Sequence, residues 1–366
     1  MSRIAVLPGD GIGPEVTAAA VRVLRAVLPS CTFEEAPAGA AAIASHGTPL
    51  PDQTLALARS SDAILFGAVG GPGFEDRPPD QRPEAAILGL RKAFGLYANV
   101  RPSFAFAGLE SRSPLRAELV RGMDLVIVRE LTGGLYFGPK SLEREEGVLT
   151  ARDGLVYRDF EIERIVRFAF TLARTRRRHV TSVDKSNVLL SSQLWRRITL
   201  GVARDFPDVV LAHMLVDNAA MQLVRDPRAF DVIVTENMFG DILSDEAAMI
   251  TGTIGTAPSA ALGALPSTGD ETSGRTFGIY EPISGTAPDL AGRGVANPCG
   301  AILSAAMLAR FSLGDDAAAT RIERAVAAAL ERGPRTPDLD EPPVAIGTNA
   351  FTAAVIDELG ATVLTH

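Results

Sequence analysis

Short apolar runs alternate along the chain with longer segments in which apolar residues recur every three or four positions. The short runs are typical of buried strands, and the longer segments are typical of helices with one apolar face. Strands are predicted over residues 3–7, 63–66, 124–129, 180–184, 209–214, 232–234 and 277–280, with a further strand ending at NVRP. Helices are predicted over residues 14–28, 84–94, 160–174, 191–206, 299–311, 315–331 and 351–359. This alternation predicts an α/β fold.

Loops rich in glycine and proline separate these elements. The first strand leads into PGDGIGPE, but a Gly-x-Gly-x-x-Gly frame begun at Gly9 would need glycine where Pro14 stands, so this is not a Rossmann fingerprint. Residues 67–84 and the segment after residue 280 form long loops, which are more often functional than idle. After residue 250 the composition shifts to small residues, which we interpret as a connection and a flexible loop near a domain boundary.

Length, charge and composition exclude several classes of protein. The 366 residues allow two domains or one large α/β unit, and 46% hydrophobic with 22% charged residues is ordinary for a globular protein. A net charge of −8 argues against general nucleic-acid binding, and no apolar run reaches the ~18 residues of a membrane span. The N-terminus lacks a signal-peptide pattern, so we expect a cytoplasmic protein in which Cys31 and Cys299 stay reduced.

Two aspartates in the segment FDVIVTENMFGDILSDE form the first candidate site. A strand is followed by a turn at Gly240 and a helix, so Asp241 and Asp245 project from one helix face, one turn apart. Paired carboxylates suit Mg²⁺ or Mn²⁺ rather than zinc. The alternative is that Asp241 caps the helix and Asp245 is solvated. Asp217, at the start of another predicted helix, is a third acid, with helix capping as its alternative role.

Basic residues and one tyrosine form a second candidate set. Arg91, Arg101 and Arg129 stand near the ends of three predicted elements and could converge on a carboxylate or phosphate, although three separate surface arginines are the alternative. Lys185 follows a predicted strand, where catalytic groups cluster in α/β proteins, and a lysine can act as a base where arginine cannot. Glycines on both sides place Tyr136 on a tight bend, and residues 138–160 read as a polar, irregular, extended arm.

Seven segments in chain order resemble the β-decarboxylating dehydrogenases, the family of isocitrate and isopropylmalate dehydrogenases. They read LPGDGIGPEV, GAVGGP, LRK with NVRP, VRELTGGLYFG, SVDKSNVL, TENMFGDILSDEA, and EPISGTAPDLAG with ANP. The similarity covers nearly the whole chain, and seven segments in order are specific where each alone is weak. The ELTGG segment is similar to the isopropylmalate members, because isocitrate and homoisocitrate relatives usually carry an acidic version there.

The resemblance implies roles for the candidate residues in the NAD-dependent oxidative decarboxylation of (2R,3S)-3-isopropylmalate to 4-methyl-2-oxopentanoate and CO₂, a step of leucine biosynthesis. Lys185 would be the general base, and Tyr136 would protonate the enol carbon. The implied ligands of a Mg²⁺ or Mn²⁺ ion are Asp217, Asp241 and Asp245. The implied substrate-binding residues are Arg91, Arg101, Arg129, Asp217, Ile87, Leu88 and Val188, of which Ile87 and Leu88 would form an apolar wall for the isopropyl group.

The resemblance also implies how NAD⁺ is bound without a Rossmann fingerprint. The implied cofactor residues are Gly71, Glu84, Asn187, Glu281, Gly285, Thr286, Ala287, Asp289 and Asn297. Asp289 would hold the ribose hydroxyls of adenosine and repel the phosphate of NADP⁺, so a preference for NAD⁺ is expected. Two departures from the family pattern are Ser284, where many members have histidine, and a long loop at residues 266–275.

The fold implied by the resemblance is isopropylmalate dehydrogenase-like, with two α/β domains that share a central sheet. Residues 1–98 with 253–366 would form the cofactor domain, and residues 99–252 the substrate and dimerisation domain, with an arm at about 138–160. Lys185 and Asp217 would enter the active site of the partner in a homodimer. The alternatives are a tartrate or D-malate dehydrogenase of the same family and a non-catalytic homologue, and we expect neither nucleic acid nor membrane as a partner.

Overall fold

A ten-stranded sheet organises the residues that the computed structural model describes, which are 2–265, 275–341 and 343–361. Its strands are β1 (Arg3–Gly9), β2 (Thr32–Glu35), β3 (Ala63–Ala68), β4 (Ala98–Phe104), β5 (Asp124–Glu130), β8 (His179–Asp184), β9 (Val210–Leu215), β10 (Val232–Thr235), β11 (Pro258–Leu262) and β12 (Gly278–Pro282). Their spatial order is β2-β1-β3-β12-β11-β4-β5-β10-β8-β9. The central pairs β12·β11, β11·β4 and β4·β5 are antiparallel, and the outer pairs are parallel.

Helices cover both faces of this sheet. They are α1 (Gly13–Val27), α2 (Gly39–His46), α3 (Asp52–Arg59), α4 (Ala85–Ala93), α5 (Ala117–Val120), α6 (Asp159–Arg174), α7 (Leu190–Ala203), α8 (Val216–Arg225), α9 (Asn237–Ile250), α10 (Cys299–Phe311), α11 (Asp316–Arg332) and α12 (Thr348–Ala361). The α/β class is therefore confirmed. Within the described residues, no helix combines the length and apolar character needed to cross a bilayer.

The two faces of the sheet are packed differently, and the difference creates room for a site. On one face, a single continuous apolar core runs under α1, α6, α10, α11 and α12. On the other face, the core is split into one cluster around β1, β3 and α4 and a second cluster around β5, β10, α8 and α9. Because side chains alternate between faces along a strand, the odd-numbered residues of β4 face the side with the split core. Three of them, Asn99, Arg101 and Ser103, are buried and polar.

The arm predicted at 138–160 contains an antiparallel hairpin that stands apart from the main sheet. Its strands are β6 (Lys140–Glu145) and β7 (Val148–Asp153), so the prediction of irregular backbone was wrong for these residues. The turn at Glu146 and Gly147 has positive φ at both residues, as the tight turns of two-residue hairpins require. Leu142, Val148 and Leu149 are at least 60% exposed, so the hairpin offers apolar side chains to solvent.

Several elements differ from the sequence-based expectation. The helix expected to begin at Gly240 begins at Asn237, because the carboxylate of Glu236 accepts a hydrogen bond from the backbone N–H of Phe239 and caps it three residues earlier. Asp241 therefore does not cap this helix. The segment after residue 250, expected to be a connection, contains the buried strand β11. The elements β2, α2 and α3 were not predicted. The expected long loop at 266–275 lies outside the described residues, except for Arg275.

Candidate active site

Two arginines from adjacent strands meet the two aspartates of α9 at the split in the core. Arg101 donates from Nη1 to Ser244 Oγ (2.7 Å) and to Asp245 Oδ1 (3.1 Å), and Asp241 Oδ1 lies 3.5 Å from the same nitrogen. Arg129 donates from Nη1 to Asp241 Oδ1. Gly240 lets α9 approach β5 this closely, because a Cβ there would lie 2.7 Å from the Arg129 side chain. The predicted convergence of Arg101 and Arg129, and the shared face of Asp241 and Asp245, are both present.

The arginines are also fixed by neutral partners. Arg101 donates from Nε to Asn99 Oδ1 at 2.6 Å, and Arg129 donates from Nε to Asn237 Oδ1 at 2.9 Å. The Asn237 amide in turn donates to the carbonyl of Gly133. Each guanidinium is therefore held in position by a hydrogen bond that does not depend on an aspartate.

Tyr136 lies on the predicted tight bend and joins the same cluster. Its hydroxyl donates to Asp241 Oδ2 at 3.1 Å, and the Arg129 guanidinium lies 5.8 Å from the centre of its ring. The bend closes with a hydrogen bond from the backbone N–H of Gly138 to the carbonyl of Gly134 (3.0 Å). Gly134 has a φ of 78°, and a Cβ there would lie 2.7 Å from the hydroxyl of Tyr157. The bend is thus built on a position that needs glycine.

Burial and charge shift the ionisation of these groups. Burial lowers the pKa of Arg101 and lowers that of Arg129 to about 10, with the neighbouring arginine adding to the effect on Arg129, so both stay cationic at neutral pH. Burial also raises the pKa of Tyr136, and the carboxylate of Asp241 raises it further, so the phenol keeps its proton. Burial raises the pKa of Asp245 against the opposing effect of Arg101.

Arg91, on α4, is a third arginine close enough to Arg101 and Arg129 to affect their pKa values. Its Nη2 donates to Glu281 Oε1 at 2.6 Å, and both side chains are mostly buried. The Nε of Arg91 is buried and has no hydrogen-bond partner among the described residues. A buried guanidinium N–H without a partner is costly, which favours an anionic ligand at this position. The charge of Arg91 also lowers the pKa of both Arg101 and Arg129, so the three guanidinium groups lie near one another.

Lys185 and Asp217 form a separate pair. Lys185 follows β8, as predicted, and its Nζ donates to Asp217 Oδ1 at 2.6 Å; this hydrogen bond lowers the pKa of Asp217. The side chain of Asp217, in the first turn of α8, is 59% exposed. Within the described residues of one chain, neither Lys185 nor Asp217 makes a hydrogen bond or an ion pair with the arginines, Tyr136 or the aspartates of α9. The family resemblance implied that Lys185 and Asp217 enter the active site of a partner subunit, and their separation from the other candidates within one chain is compatible with that expectation.

The carboxylates suit a hard divalent cation but do not complete a site within one chain. Asp241 and Asp245 present oxygen ligands from one face of α9, and Asp245 remains 54% exposed. No group of three or more His, Cys, Asp or Glu side chains in the described residues is arranged to hold a metal ion. The two aspartates fit Mg²⁺ or Mn²⁺ by donor type, and a third carboxylate from another chain would complete a protein ligand set.

An exposed apolar surface borders these carboxylates. On α8, Met221 (60% exposed) and Val224 (45%) fall on the same helix stripe as Asp217, at spacings of four and seven. On α9, Ile242 (58%) and Met249 (49%) fall on the same stripe as Asp245. The two helices pack side by side through their other faces. We call these four apolar residues of α8 and α9 the helix-pair surface.

The residues implied for the cofactor lie on loops around the first glycine-rich corner. The backbone N–H of Ile12 donates to the carbonyl of Thr286 (2.8 Å), which joins the corner to the 285–297 loop. Glu84 Oε1 lies beside Gly70, where a Cβ would be 3.2 Å from it. Asp289 is exposed, and Asn297 donates to Asp338 Oδ2 at 2.9 Å. Gly71 and Gly285 are exposed glycines, and Ala287 has a φ of 38°.

The residues implied for the apolar wall divide between core and surface. Ile87 is 8% exposed and packs in the cluster of β1, β3 and α4, whereas Leu88 is 42% exposed one turn from Arg91. An exposed apolar side chain next to Arg91 is therefore supplied by Leu88. Val188 is 66% exposed and Asn187 is exposed, and both lie on the turn after Lys185 rather than beside the arginines of the same chain.

Two acids that hold the loops of the site, Asp10 and Glu15, were not predicted from the sequence. Asp10 accepts from the backbone N–H groups of Ala40, Ala41 and Gly70, which joins the first corner to α2 and to the 67–84 loop. Glu15 accepts from the N–H of Ala296 (2.9 Å). The position of Asp10 between two glycines of a strand–loop–helix corner could have indicated its role. The partners of both acids are too distant in sequence for any local pattern to indicate.

Asp184 anchors the strand end that carries Lys185 and was also missed. It is 1% exposed, pairs with Arg196 (2.9 Å), and accepts from the N–H of Ser186 (2.9 Å). The backbone N–H of Lys185 donates to Ser192 Oγ at 3.0 Å. These contacts fix the backbone on both sides of Lys185, so the position from which its side chain extends is held in place.

Comparison with known proteins points to one family of dehydrogenases. The isocitrate/isopropylmalate dehydrogenase family matches residues 3–356. The chain is 58% identical over 342 residues to a 3-isopropylmalate dehydrogenase of Geobacillus kaustophilus, covering 92% of this chain and 90% of the relative. It is 52% identical to the 3-isopropylmalate dehydrogenase of Vibrio cholerae, covering 95% of each.

Solved structures agree in fold. Isocitrate dehydrogenase from Methylococcus capsulatus superposes with a TM-score of 0.85 at 36% identity, covering 98% of this chain and 99% of that one. A β-decarboxylating dehydrogenase from Thermococcus kodakarensis superposes with a TM-score of 0.81 at 38% identity, covering 100% of this chain and 98% of that one.

Proposed function

Because the chain belongs to the isocitrate/isopropylmalate dehydrogenase family, we propose that it catalyses the NAD⁺-dependent oxidative decarboxylation of 3-isopropylmalate, the reaction of leucine biosynthesis. The observation that carries this assignment is the set of relatives named 3-isopropylmalate dehydrogenase at 51–58% identity along most of the chain. The enzyme is an oxidoreductase. Tartrate or D-malate oxidation is not favoured, because these relatives carry the isopropylmalate name.

The three arginines bind the two carboxylates of the substrate. Arg101 and Arg129 are fixed by Asn99 and Asn237, so their forks are oriented before the substrate arrives. The unpartnered Nε of Arg91 supports an anion at that position. Leu88, exposed one turn away, offers an apolar contact for the isopropyl group. Guanidinium groups beside an apolar side chain match a dicarboxylate with a branched apolar substituent better than a dicarboxylate without one.

A Mg²⁺ or Mn²⁺ ion would be held by Asp241 and Asp245 together with Asp217 of the partner subunit. When bound, such a cation lowers the pKa of the substrate hydroxyl and stabilises negative charge on that oxygen during decarboxylation. In the structure, Arg101 is paired with Asp245 and Arg129 with Asp241. A cation bound to these carboxylates would compete with the arginines, which would then be free to contact the substrate.

Proton transfers fall to one lysine and one tyrosine. Lys185 of the partner subunit would take the proton of the substrate hydroxyl, and NAD⁺, when bound, would accept the hydride from the hydroxyl-bearing carbon. The resulting β-keto acid loses CO₂. Tyr136, whose pKa is raised by burial and by Asp241, keeps its proton for the carbon that CO₂ leaves.

We further propose that two chains share each active site in a homodimer. The helix-pair surface supports this, because four exposed apolar side chains on α8 and α9 lie in line with Asp217 and Asp245. Exposed apolar patches bordered by charge are typical of protein interfaces. The hairpin of β6 and β7, with Leu142, Val148 and Leu149 exposed, is a second segment of such an interface. Residues 99–252 would then form the substrate and dimerisation domain, and residues 1–98 with 253–366 the cofactor domain.

The choice between NAD⁺ and NADP⁺ is proposed to depend on Asp289. This carboxylate is exposed on the 285–297 loop and would accept hydrogen bonds from the ribose hydroxyls of adenosine. The extra phosphate of NADP⁺ would meet a negative charge, which costs binding free energy.

The function is tested by following NADH formation with purified protein, added Mn²⁺ or Mg²⁺, and either 3-isopropylmalate or D-malate. We expect turnover of 3-isopropylmalate with NAD⁺, loss of turnover with excess chelator, and much weaker turnover with NADP⁺. A higher kcat/KM for D-malate than for 3-isopropylmalate would overturn the substrate assignment. Metal-independent turnover would overturn the role of the aspartates.

A further inference from the structure

An apolar groove lies on the face of the sheet opposite the arginine cluster. Its volume is about 760 Å³, within the roughly 300–1,000 Å³ of small-molecule sites. Strands β4 and β5 with the residues after β4 form one wall, the end of α6 forms a second, and α10 with α11 forms a third. The walls include Phe104, Phe106, Leu303 and Met307. A groove of this size is large enough for a small ligand.

The charges at the groove leave one cation without a partner. Arg176 is paired with Asp124 and Asp231, and Arg310 is paired with Asp316 and Glu323. Arg324 also lines the groove and is exposed, and its side chain makes no hydrogen bond or ion pair within the described residues. Its guanidinium is therefore available to bind an anionic head group.

The groove wall formed by β4 and β5 is physically continuous with the proposed active site. On β4, Val100, Pro102 and Phe104 face the groove, and the intervening Arg101 faces the aspartates of α9. On β5, Val126 faces the groove, while Arg129 faces Asp241. Because side chains alternate along a strand, the same two strands carry a groove wall on one face and the substrate arginines on the other.

We propose that this groove binds a small apolar carboxylate, with its hydrocarbon body against the Phe104–Phe106 wall and its carboxylate on Arg324, and that occupancy changes the affinity of the active site. A ligand that holds α6 away from α10 and α11 shifts β4 and β5, and packed strands transmit such a shift rather than absorb it. The regulatory half rests on the proposed function, whereas the binding half stands without it. Coupling of this kind is reciprocal.

The binding half is tested by calorimetric titration of sodium octanoate into the full-length protein without substrate or NAD⁺, with octanamide as the uncharged ligand control. We expect octanoate to bind more tightly than octanamide. Replacing Arg324 with Gln should weaken octanoate about tenfold, because a charge-assisted hydrogen bond is lost. The matched variant Arg59→Gln changes an exposed arginine at the end of α3, remote from the groove lining, and should bind normally.

Two further variants locate the bound octanoate. Ala327→Phe fills the groove from α11 and should abolish binding. Lys185→Met damages the proposed active site away from β4 and β5 and should leave octanoate binding unchanged. Loss of binding in Lys185→Met, or normal binding in both Arg324→Gln and Ala327→Phe, would overturn the site. If Ala327→Phe does not fold, Arg324→Gln, a surface change, decides the question.

The regulatory half is tested on the active enzyme with octanoate at saturation. We expect the KM for 3-isopropylmalate to shift at least about threefold in the wild-type protein and not in Ala327→Phe, in line with typical coupling between sites. In Arg324→Gln the same shift should need about tenfold more octanoate, because the affinity is lower. Binding of octanoate without a change in KM would overturn the regulatory role. An enzyme inactive on 3-isopropylmalate would fail the proposed function and leave the calorimetric result intact.

Discussion

At the scale of single residues, the candidate active site is held by ion pairs between two arginines and the two aspartates of α9. Arg101 and Arg129 neutralise Asp241 and Asp245, and each arginine also has a neutral partner that keeps it in place. In the proposed function, a divalent cation would bind the aspartates without leaving the arginines unsupported. Lys185 is different, because its ammonium meets only the exposed Asp217 among the described residues. Its proposed role as base depends on the groups that a partner chain would bring to it.

Lys185→Met is expected to lower kcat by roughly 10²–10⁴, the usual contribution of a positioned general base, while the protein stays folded. The chain offers a matched control in Lys92→Met, because Lys92 is an exposed lysine on α4 whose side chain makes no hydrogen bond or ion pair within the described residues. Steady-state NADH formation and thermal melting check both variants. Unchanged kcat in Lys185→Met would show that another group is the base.

At the scale of elements, the start of α9 determines where the aspartates point. Glu236 caps this helix through Oε1, while its Oε2 is buried without a hydrogen-bond partner within the described residues. Burial raises the pKa of Glu236. A carboxyl group whose pKa is higher in the folded than in the unfolded protein holds its proton more tightly when folded. Stability from this group therefore falls as pH rises from the ordinary glutamate range through the raised pKa.

Glu236→Gln is expected to keep the cap and remove this pH dependence. The melting temperature of the wild-type protein minus that of the variant should decrease between pH 5 and pH 8, because the variant does not bury a charge as pH rises. Differential scanning calorimetry at constant ionic strength measures both proteins. A difference that stays constant or grows with pH would contradict the assignment of a raised pKa to Glu236.

Sequence patterns predicted the strands that are strongly apolar and the helices with a regular apolar stripe. They failed for elements made of small residues or of exposed polar residues. The strand β11, PSAAL, is buried but made of small residues, so it resembled a connection. The helix α2 is rich in alanine and lacks an apolar stripe, and β2 is an exposed edge strand. The helix α9 began earlier than predicted, since a glutamate cap before a glycine-containing turn gives little local signal.

At the scale of the whole molecule, the candidate site could be predicted only in part. Local sequence indicated Arg101, Arg129, Asp241 and Asp245 as chemically suited residues, and the sheet brings them together. It could not show that Lys185 lies apart from them in one chain, because that separation depends on the order of strands β4, β5, β10 and β8 in the sheet. Completion of the site by a second chain is the simplest resolution of that separation.

Ile242→Glu places a charge on the helix-pair surface and is expected to give a folded monomer. Activity should fall by roughly 10²–10⁴, because each cluster of arginines would lose the base supplied by its partner. Val344→Glu is the matched control, since Val344 is 59% exposed and does not lie on α8 or α9. Analytical ultracentrifugation and NADH assays check both. A fully active monomer of Ile242→Glu would contradict the shared site.

Complementation between two inactive variants tests the shared site most directly. Lys185→Met and Asp241→Asn are each purified, mixed in equal amounts, unfolded and refolded together, and assayed for NADH formation with 3-isopropylmalate. If each site takes Asp241 from one chain and Lys185 from the other, half of the dimers carry one intact site, so about a quarter of wild-type activity should return. If the mixture stays as inactive as either variant alone, although mixed dimers are shown to form, Lys185 and Asp241 act within the same chain and the account of a shared site is wrong.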